Sequence, residues 1–354
     1  MDFIILIWSV FFGDVPLITN LQTIEDALGP RTPKEEVYRQ IIEDVTYAAD
    51  HLPYRSEYGS SDAGRVNKGA AKILLGKIYL TRGEFQKAAD VLAEVVENES
   101  IYGFGLHDNY HNNWLRETEA GIEAVFYIEY LGPPYLNNGE MSLAGPKYSI
   151  PGDLGISALN EADIPTQELY DLFDDRDTRK AVNFKTEFTH LLTGEVLESS
   201  IPLSGKFWVE GLESGDLCDV NVHIIRYADA LLMYAEALNE IGESSKALTV
   251  LNRIRERAYG DTSGNYSPMS QEEFRKVVWN ERRLEFPHEG HRWFDLVRTG
   301  TFVERMKEHS EYEARVAESN KTDIAKNLKE HMVLMPIPQS EIDLNPELTQ
   351  NPGW

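Results

Sequence analysis

The side chains that invite chemistry gather first in the stretch 130–148. There Tyr130, Tyr135, Asn137, Asn138 and Tyr148 are separated by glycine and proline. An aromatic ring offers about 150–250 Å² of flat apolar surface, and an asparagine amide both donates and accepts hydrogen bonds. That combination suits a ligand with C–H faces and many hydroxyls, such as an oligosaccharide. Trp114, beside Asn112 and Asn113, is the next candidate, followed by Trp208. Each of these rings also reads, taken singly, as a core or loop-packing side chain. Trp8, Trp279 and Trp293 fall in helical patterns and read as core.

A second group lies at 281–298, ERRLEFPHEGHRWFDLVR, with Glu281, Arg282, Arg283, Glu285, His288, Glu289, His291, Arg292 and Asp295. HEGH is not a zincin motif, because its two histidines are three apart and not four. The block reads as an ion-pair network fixing helix 271–285 against the next element, with arginines able to hold carboxylates bidentately. His107 and His111 stand four apart, but the surrounding FGLHDNYHNNW is loop-like. FDDRDTRK (173–180) lacks the glycine and terminal glutamate of a calcium hand. No phosphate loop or G-x-S-x-G is present. None of these motifs marks a catalytic residue, a metal site or a cofactor site, and none is assigned; a calcium ion among loop carboxylates stays open.

Composition narrows the partners. The 354 residues carry 34 basic and 59 acidic side chains, a net charge of −25. Such a field repels phosphate backbones and anionic membrane surfaces and is indifferent to a neutral sugar. With one cysteine, Cys218, there is no internal disulfide and no cysteine-based zinc site.

The elements that must position these residues are mostly helices. Residues 34–51 follow Thr32-Pro33 and carry a stripe of Val37, Ile41, Val45 and Ala48. Residues 67–82 and 84–97 read as antiparallel helices joined at Gly83. Leu75-Gly76, Tyr79, Gly83, Phe85 and Ala88 fall at tetratricopeptide spacing. A second pair, 226–241 and 245–258, breaks at Gly242 and places Ala247 at the offset of Ala88. Two units are too few for a free solenoid, so the pairs are expected to pack on each other across the intervening residues. Those residues read as strands at 121–130 and 206–210, a hairpin around Thr193-Gly194 in 188–200, and long Gly/Pro-rich loops. Residues 332–354 read as an extended tail. The apolar run 3–12 (FIILIWSVFF) is too short to span a membrane. It reads as the end of a buried helix whose beginning is absent, with exposed apolar side chains expected among Phe3, Ile5, Leu6, Trp8 and Phe12. The fold class is thus mainly α: a tetratricopeptide-like repeat scaffold with a loop-rich insertion carrying short strands. The parts are 1–99, 100–222 and 223–354, packed as one structural unit.

In order and spacing, several segments resemble the SusD/RagB family of nutrient-binding outer-membrane lipoproteins. They are FFGDVPL (11–17), RVNKGAAKILLGKIYLTRGEFQKAADV (65–91), PTQELYDLFDDRDTRK (165–180), IIRYADALLMYAEALNEIG (224–242), LNRIRERA (251–258), the 281–298 block and LMPIPQSEIDLNP…QNPGW (334–354). The resemblance implies a non-catalytic protein on the extracellular face of the outer membrane. Such a protein captures an oligosaccharide, polysaccharide or other nutrient and delivers it to a SusC-like TonB-dependent transporter. Family members begin with a lipoprotein signal and an acylated cysteine. Neither stands in this chain, so a fragment, or a reading begun at an internal methionine, is expected, touching the membrane only through an anchor outside it. Two other readings remain at this point. One is a glycoside hydrolase, since 59 acids supply many carboxylate pairs; the other is a helical-repeat scaffold for protein interaction.

Overall fold

The computed structural model describes residues 2–20, 23, 28–59, 62, 64–132, 134, 138–150, 152–316 and 325–354. The chain divides into two compact units, Met1–His51 with Trp293–Trp354, and Leu52–Arg292. In order, the helices and strands are α1 (Asp2–Phe12), α2 (Lys34–His51), α3 (Lys68–Thr81), α4 (Phe85–Val96), α5 (Glu99–Tyr102), β1 (Ala124–Ile128), α6 (Glu140–Ala144), α7 (Gln167–Asp171), α8 (Arg179–Asn183), β2 (Phe184–Thr189) and β3 (Val196–Ser204). There follow β4 (Val222–Arg226), α9 (Tyr227–Glu240), α10 (Ser244–Tyr259), α11 (Gln271–Glu285), α12 (His291–Arg298), α13 (Phe302–Val316) and α14 (Gln339–Leu344). The fold is mainly α, as the periodicity predicts. Among the described residues, no helix is long and apolar enough to cross a membrane.

The larger unit is organised around α9. Every residue from Tyr227 to Asn239 is buried, because α3, α4, α10 and α11 all pack against this helix. The two expected helix pairs therefore meet directly, α4 against α9. Both pairs turn in the same way. Gly83 and Gly242 take positive φ, 71° and 87°, a conformation that costs glycine little. The following N–H then reaches back five residues, Glu84 to the Tyr79 carbonyl and Glu243 to the Leu238 carbonyl, satisfying an end of the helix that would otherwise lack donors. Gly76 lets α3 and α4 approach: a Cβ there would lie 2.5 Å from Leu92 Cγ. Asn67 caps α3 by accepting from the Ala70 N–H, and Ser270 with Glu273 forms a capping box on α11.

The strands form two separate antiparallel pairs, β1 with β4 and β2 with β3. The β2–β3 hairpin turns at Gly194, φ 72°, close to where the sequence puts it. Residues 206–210 are not a strand. Lys206 is buried and the Trp208 N–H closes a turn onto the Gly205 carbonyl. β1 pairs with β4, which runs directly into α9, so Arg226 ends a strand and begins a helix.

In the smaller unit α1 packs on α2. Leu6 and Val10 turn inward and are buried, which corrects the expectation that Leu6 is exposed. Trp8 is exposed, as is Ile4. The C-terminal segment lies along the end of α1: Met335 N–H donates to the Phe11 carbonyl, and Asn351 Nδ2 to the carbonyls of Phe12 and Met335. It is not wholly extended, since α14 interrupts it.

Replacing Gly76 by Val is expected to lower stability by about 1–3 kcal/mol through overpacking against Leu92. Gly139→Ala, whose Cβ would meet nothing within 4 Å, is expected to stay within about 0.5 kcal/mol of the parent. Chemical denaturation of both variants checks this, and equal midpoints would contradict it.

Candidate functional site

The charged block 281–298 contributes to an interior network and not to a cleft. Arg226 donates to Glu123 at 2.5 Å, to Glu285 at 2.9 Å and to both oxygens of Glu289 at 2.7 and 2.8 Å. Arg179 reaches Glu285 at 2.9 Å, Glu281 at 2.8 Å and Asp177 at 2.7 Å. Arg257 bridges Glu285 and Glu123, Arg255 pairs with Glu281, and Lys206 pairs with Glu289. Burial alone would raise Glu289, yet Arg226 and Lys206 overcome it and hold it at about 2. Burial pulls Lys206 down to about 8, which leaves it protonated at neutral pH. The network ties α11 to β4, α8 and α10, elements far away in sequence. The expected partner, the element immediately following α11, is thus only part of the account. His291 belongs to a separate buried group with Lys77 and Asp229.

This network explains why Trp114 is no sugar platform. The ring is 4 % exposed. Lys206 Nζ lies 4.6 Å and Arg226 Cζ 5.3 Å from its centre, and Tyr110 meets it edge-on at 4.7 Å. Its π face is occupied by the protein's own cations. Asn138 is likewise inside. Its Nδ2 donates to the Val220 carbonyl and its Oδ1 accepts from the Glu140 N–H, so it shapes the start of α6. Both belong to the interior, which corrects their assignment as ligand contacts. Tyr135 and Asn137 lie outside the described residues. Tyr130 is half-buried just past β1, its N–H donating to Asn221 Oδ1 at 2.9 Å.

Tyr148 is different. Its side chain is 75 % exposed, while its backbone is tightly held. One oxygen of Glu161 accepts from the N–H groups of Lys147, Tyr148 and Ser149 at 2.7, 2.6 and 2.7 Å. Burial would raise Glu161, but these three donors lower it. The Ser149 carbonyl accepts from the Ser200 N–H on β3 at 2.8 Å, which fastens the loop to the hairpin. Lys147 Nζ stands 5.3 Å from the Tyr148 ring.

Trp208 borders the same region. It packs on the apolar cluster of Ile150, Leu154, Ile156, Phe188 and Leu203, meeting Phe188 edge-on at 4.7 Å. Its Nε1 donates to Glu210, which also pairs with Lys185. Half-buried Trp208 thus packs on this cluster, and Tyr148 stands two residues before its first member, Ile150. The loop presents one exposed aromatic ring on a backbone held by Glu161, with the Lys147 ammonium beside the ring. Sequence reasoning missed Glu161, Lys185 and Glu210. Glu161 is 12–14 residues from the amides that it holds, and no motif marks it.

The model of the SusD family matches residues 206–354. "SusD-like protein P2" of Formosa agariphila is 33% identical over 321 residues, covering 81% of this chain and 61% of that protein. A "SusD-like protein" of Bacteroides ovatus is 26% identical over 316 residues, covering 81% of this chain and 55% of its own length. The chain thus spans somewhat over half the length of these relatives. Among solved structures, a SusD homolog from Bacteroides thetaiotaomicron matches 100% of this chain and 77% of its own at a TM-score of 0.85 and 25% identity. A laminarin binding SusD-like protein matches 100% of this chain and 77% of its own, at a TM-score of 0.76 and 26% identity.

Acid acts on the interior through two buried histidines. Burial holds His223 at about 4 and His291 at about 3, both below the ordinary 6.5. The His223 Nε2 contacts the Asn113 carbonyl at 2.8 Å. Because these folded values lie below the unfolded ones, the unfolded chain takes up protons first as pH falls. The stability they contribute is complete above about pH 6.5 and is lost as pH drops towards the folded values. Calorimetry is expected to show a Tm that is level from pH 8 to 7 and falls from about pH 6.5 to 4, with a shallower fall in His223→Gln. An unchanged Tm between pH 7 and 5 would contradict the assignment.

Proposed function

The chain belongs to the SusD/RagB family, and on that premise we propose that it is a non-catalytic carbohydrate-binding protein that captures oligosaccharide or polysaccharide at the cell surface. It passes the ligand to a SusC-like TonB-dependent outer-membrane transporter. It works on the extracellular face, with the whole protein held there by a lipid anchor. The observation that carries this reading is the Tyr148 loop, a fully presented ring on a backbone clamped by Glu161 and β3. With the backbone that carries the ring already fixed, less chain freedom is lost when a sugar stacks on it. Trp208 supplies a second ring at the margin of the same cluster, and Lys185 and Glu210 supply a donor and an acceptor for hydroxyls. The laminarin binding relative supports a neutral glucan as the first ligand to try. A strongly acidic protein attracts no neutral polymer electrostatically, so affinity rests on stacking and hydrogen bonds.

The hydrolase reading finds no support in the 281–298 acids, since Glu281, Glu285 and Glu289 are spent on buried arginines. A binder retards in a native gel containing laminarin or another polysaccharide and leaves it intact. Tyr148→Ala is expected to weaken binding by about thirtyfold, the equivalent of about 2 kcal/mol, with an unaltered Tm. Trp208→Ala is expected to weaken binding and also to lower Tm, because that ring packs on Phe188. Release of reducing ends would contradict the proposal, as would equal retardation of the parent and both variants.

A further inference from the structure

A second place for a sugar lies in the larger unit, built from residues that the Tyr148 reading does not use. The segment before α3 and the stretch around β1 enclose an open pocket of ≈ 290 Å³. Arg55 makes the enclosure. Its guanidinium donates to the carbonyls of Ala120 and Gly121 at 3.0 Å each, pinning its own loop to the turn that precedes β1. Its donors are therefore turned to the backbone. Tyr58 and Tyr127, both half-buried, line the pocket with Asp62, Arg65 and Glu129. The Tyr58 hydroxyl donates to the Val66 carbonyl at 2.8 Å, which anchors that ring. Asp62 and Arg65 pair at 2.8 Å in an exposed position. Gly64 takes φ 88°, and a Cβ there would lie 3.6 Å from the Tyr127 hydroxyl, so a larger residue would narrow the space.

Three features set the class of ligand. The lining balances two guanidinium groups with two carboxylates, in a protein whose net charge is −25. It thus favours neither a cation nor an anion. Two aromatic rings stand among hydrogen-bonding side chains, matching the alternation of C–H faces and hydroxyls on a sugar. The volume sits at the small end of ligand pockets, which run from about 300 to 1,000 Å³, and so suits one or two sugar residues. We propose that this pocket is a second carbohydrate site, which takes a neutral mono- or disaccharide unit between Tyr58 and Tyr127, with the Asp62–Arg65 pair and Glu129 engaging its hydroxyls.

Gly59 lines the pocket, has no positive φ, and a Cβ on it would meet nothing within 4 Å. Gly59→Trp therefore fills the space without strain in the backbone, and Tyr127→Ala removes a ring. The test is calorimetric titration of the whole chain with neutral gluco-, manno-, galacto- and xylo-disaccharides and hexasaccharides, with thermal melts to verify folding. The expected result is a disaccharide affinity reduced at least tenfold in both Gly59→Trp and Tyr127→Ala, and kept in Gly139→Ala, whose added Cβ meets nothing within 4 Å. Disaccharide binding that ignores both pocket variants overturns the inference, as does the absence of disaccharide binding in the folded parent or a preference for uronate disaccharides. Hexasaccharide binding lost in Tyr148→Ala but kept in Gly59→Trp upholds the Tyr148 face and overturns the pocket. The reverse pattern upholds the pocket and overturns that face.

Discussion

The arginine–carboxylate network around Arg226 and Glu285 is the constraint on which the larger unit depends. Five cations (Arg179, Lys206, Arg226, Arg255 and Arg257) meet five carboxylates (Glu123, Asp177, Glu281, Glu285 and Glu289) with almost no exposure to solvent. Charges taken out of water cost more than an isolated pair recovers, so the cluster is tolerable only because it is balanced and each group has partners. Removing one member leaves its counterpart buried and unpaired, at about 3–5 kcal/mol. The network draws on β4, α8, α10, α11 and the approach to β1. It holds one end of α9 to the strand that leads into it, while apolar packing on α3, α4, α10 and α11 holds the remainder. It also decides which aromatics are available. Tyr110 and Trp114 are consumed as faces for Arg226 and Lys206, and only rings outside the cluster can meet a ligand.

Much of the helical frame was legible because its cause is local. The 3.6-residue stripes in 67–97 and 226–258, and the glycines at 83 and 242, specify helix, turn and helix without reference to the rest of the chain. Gly76 and Ala235 stand at the same offset from those glycines, and both are buried where helices cross. What was not legible depends on distant partners. VHIIR is too short and too close to α9 to announce itself as a strand, and it becomes β4 only by pairing with β1. KFWVE looks like a strand by composition, but Lys206 is drawn inward to Glu289 and the chain turns there.

The site was legible only in part, for a related reason. A tryptophan beside asparagines has the chemistry of a sugar receptor whether it faces water or the core. Sequence does not distinguish the two orientations, and Trp114 and Asn138 face the core. The residue that makes Tyr148 useful is Glu161, whose role is to accept three backbone N–H groups across a loop. A single acid among 59 carries no sign of that. The pocket beside Arg55 was hidden likewise, because Arg55 meets carbonyls from residues 65 and 66 positions away. Division of labour follows from these placements: helices and buried ions give rigidity, and loops held by single polar side chains present the aromatic faces.

The central claim is that the exposed Tyr148 ring, carried on a clamped backbone, receives the sugar. A crystal of the chain soaked with the tightest-binding neutral oligosaccharide tests it most directly. The account predicts a pyranose ring stacked parallel to the Tyr148 ring, with the 147–149 backbone unmoved on Glu161. A well-ordered saccharide that leaves Tyr148 and the β2–β3 hairpin untouched would contradict it.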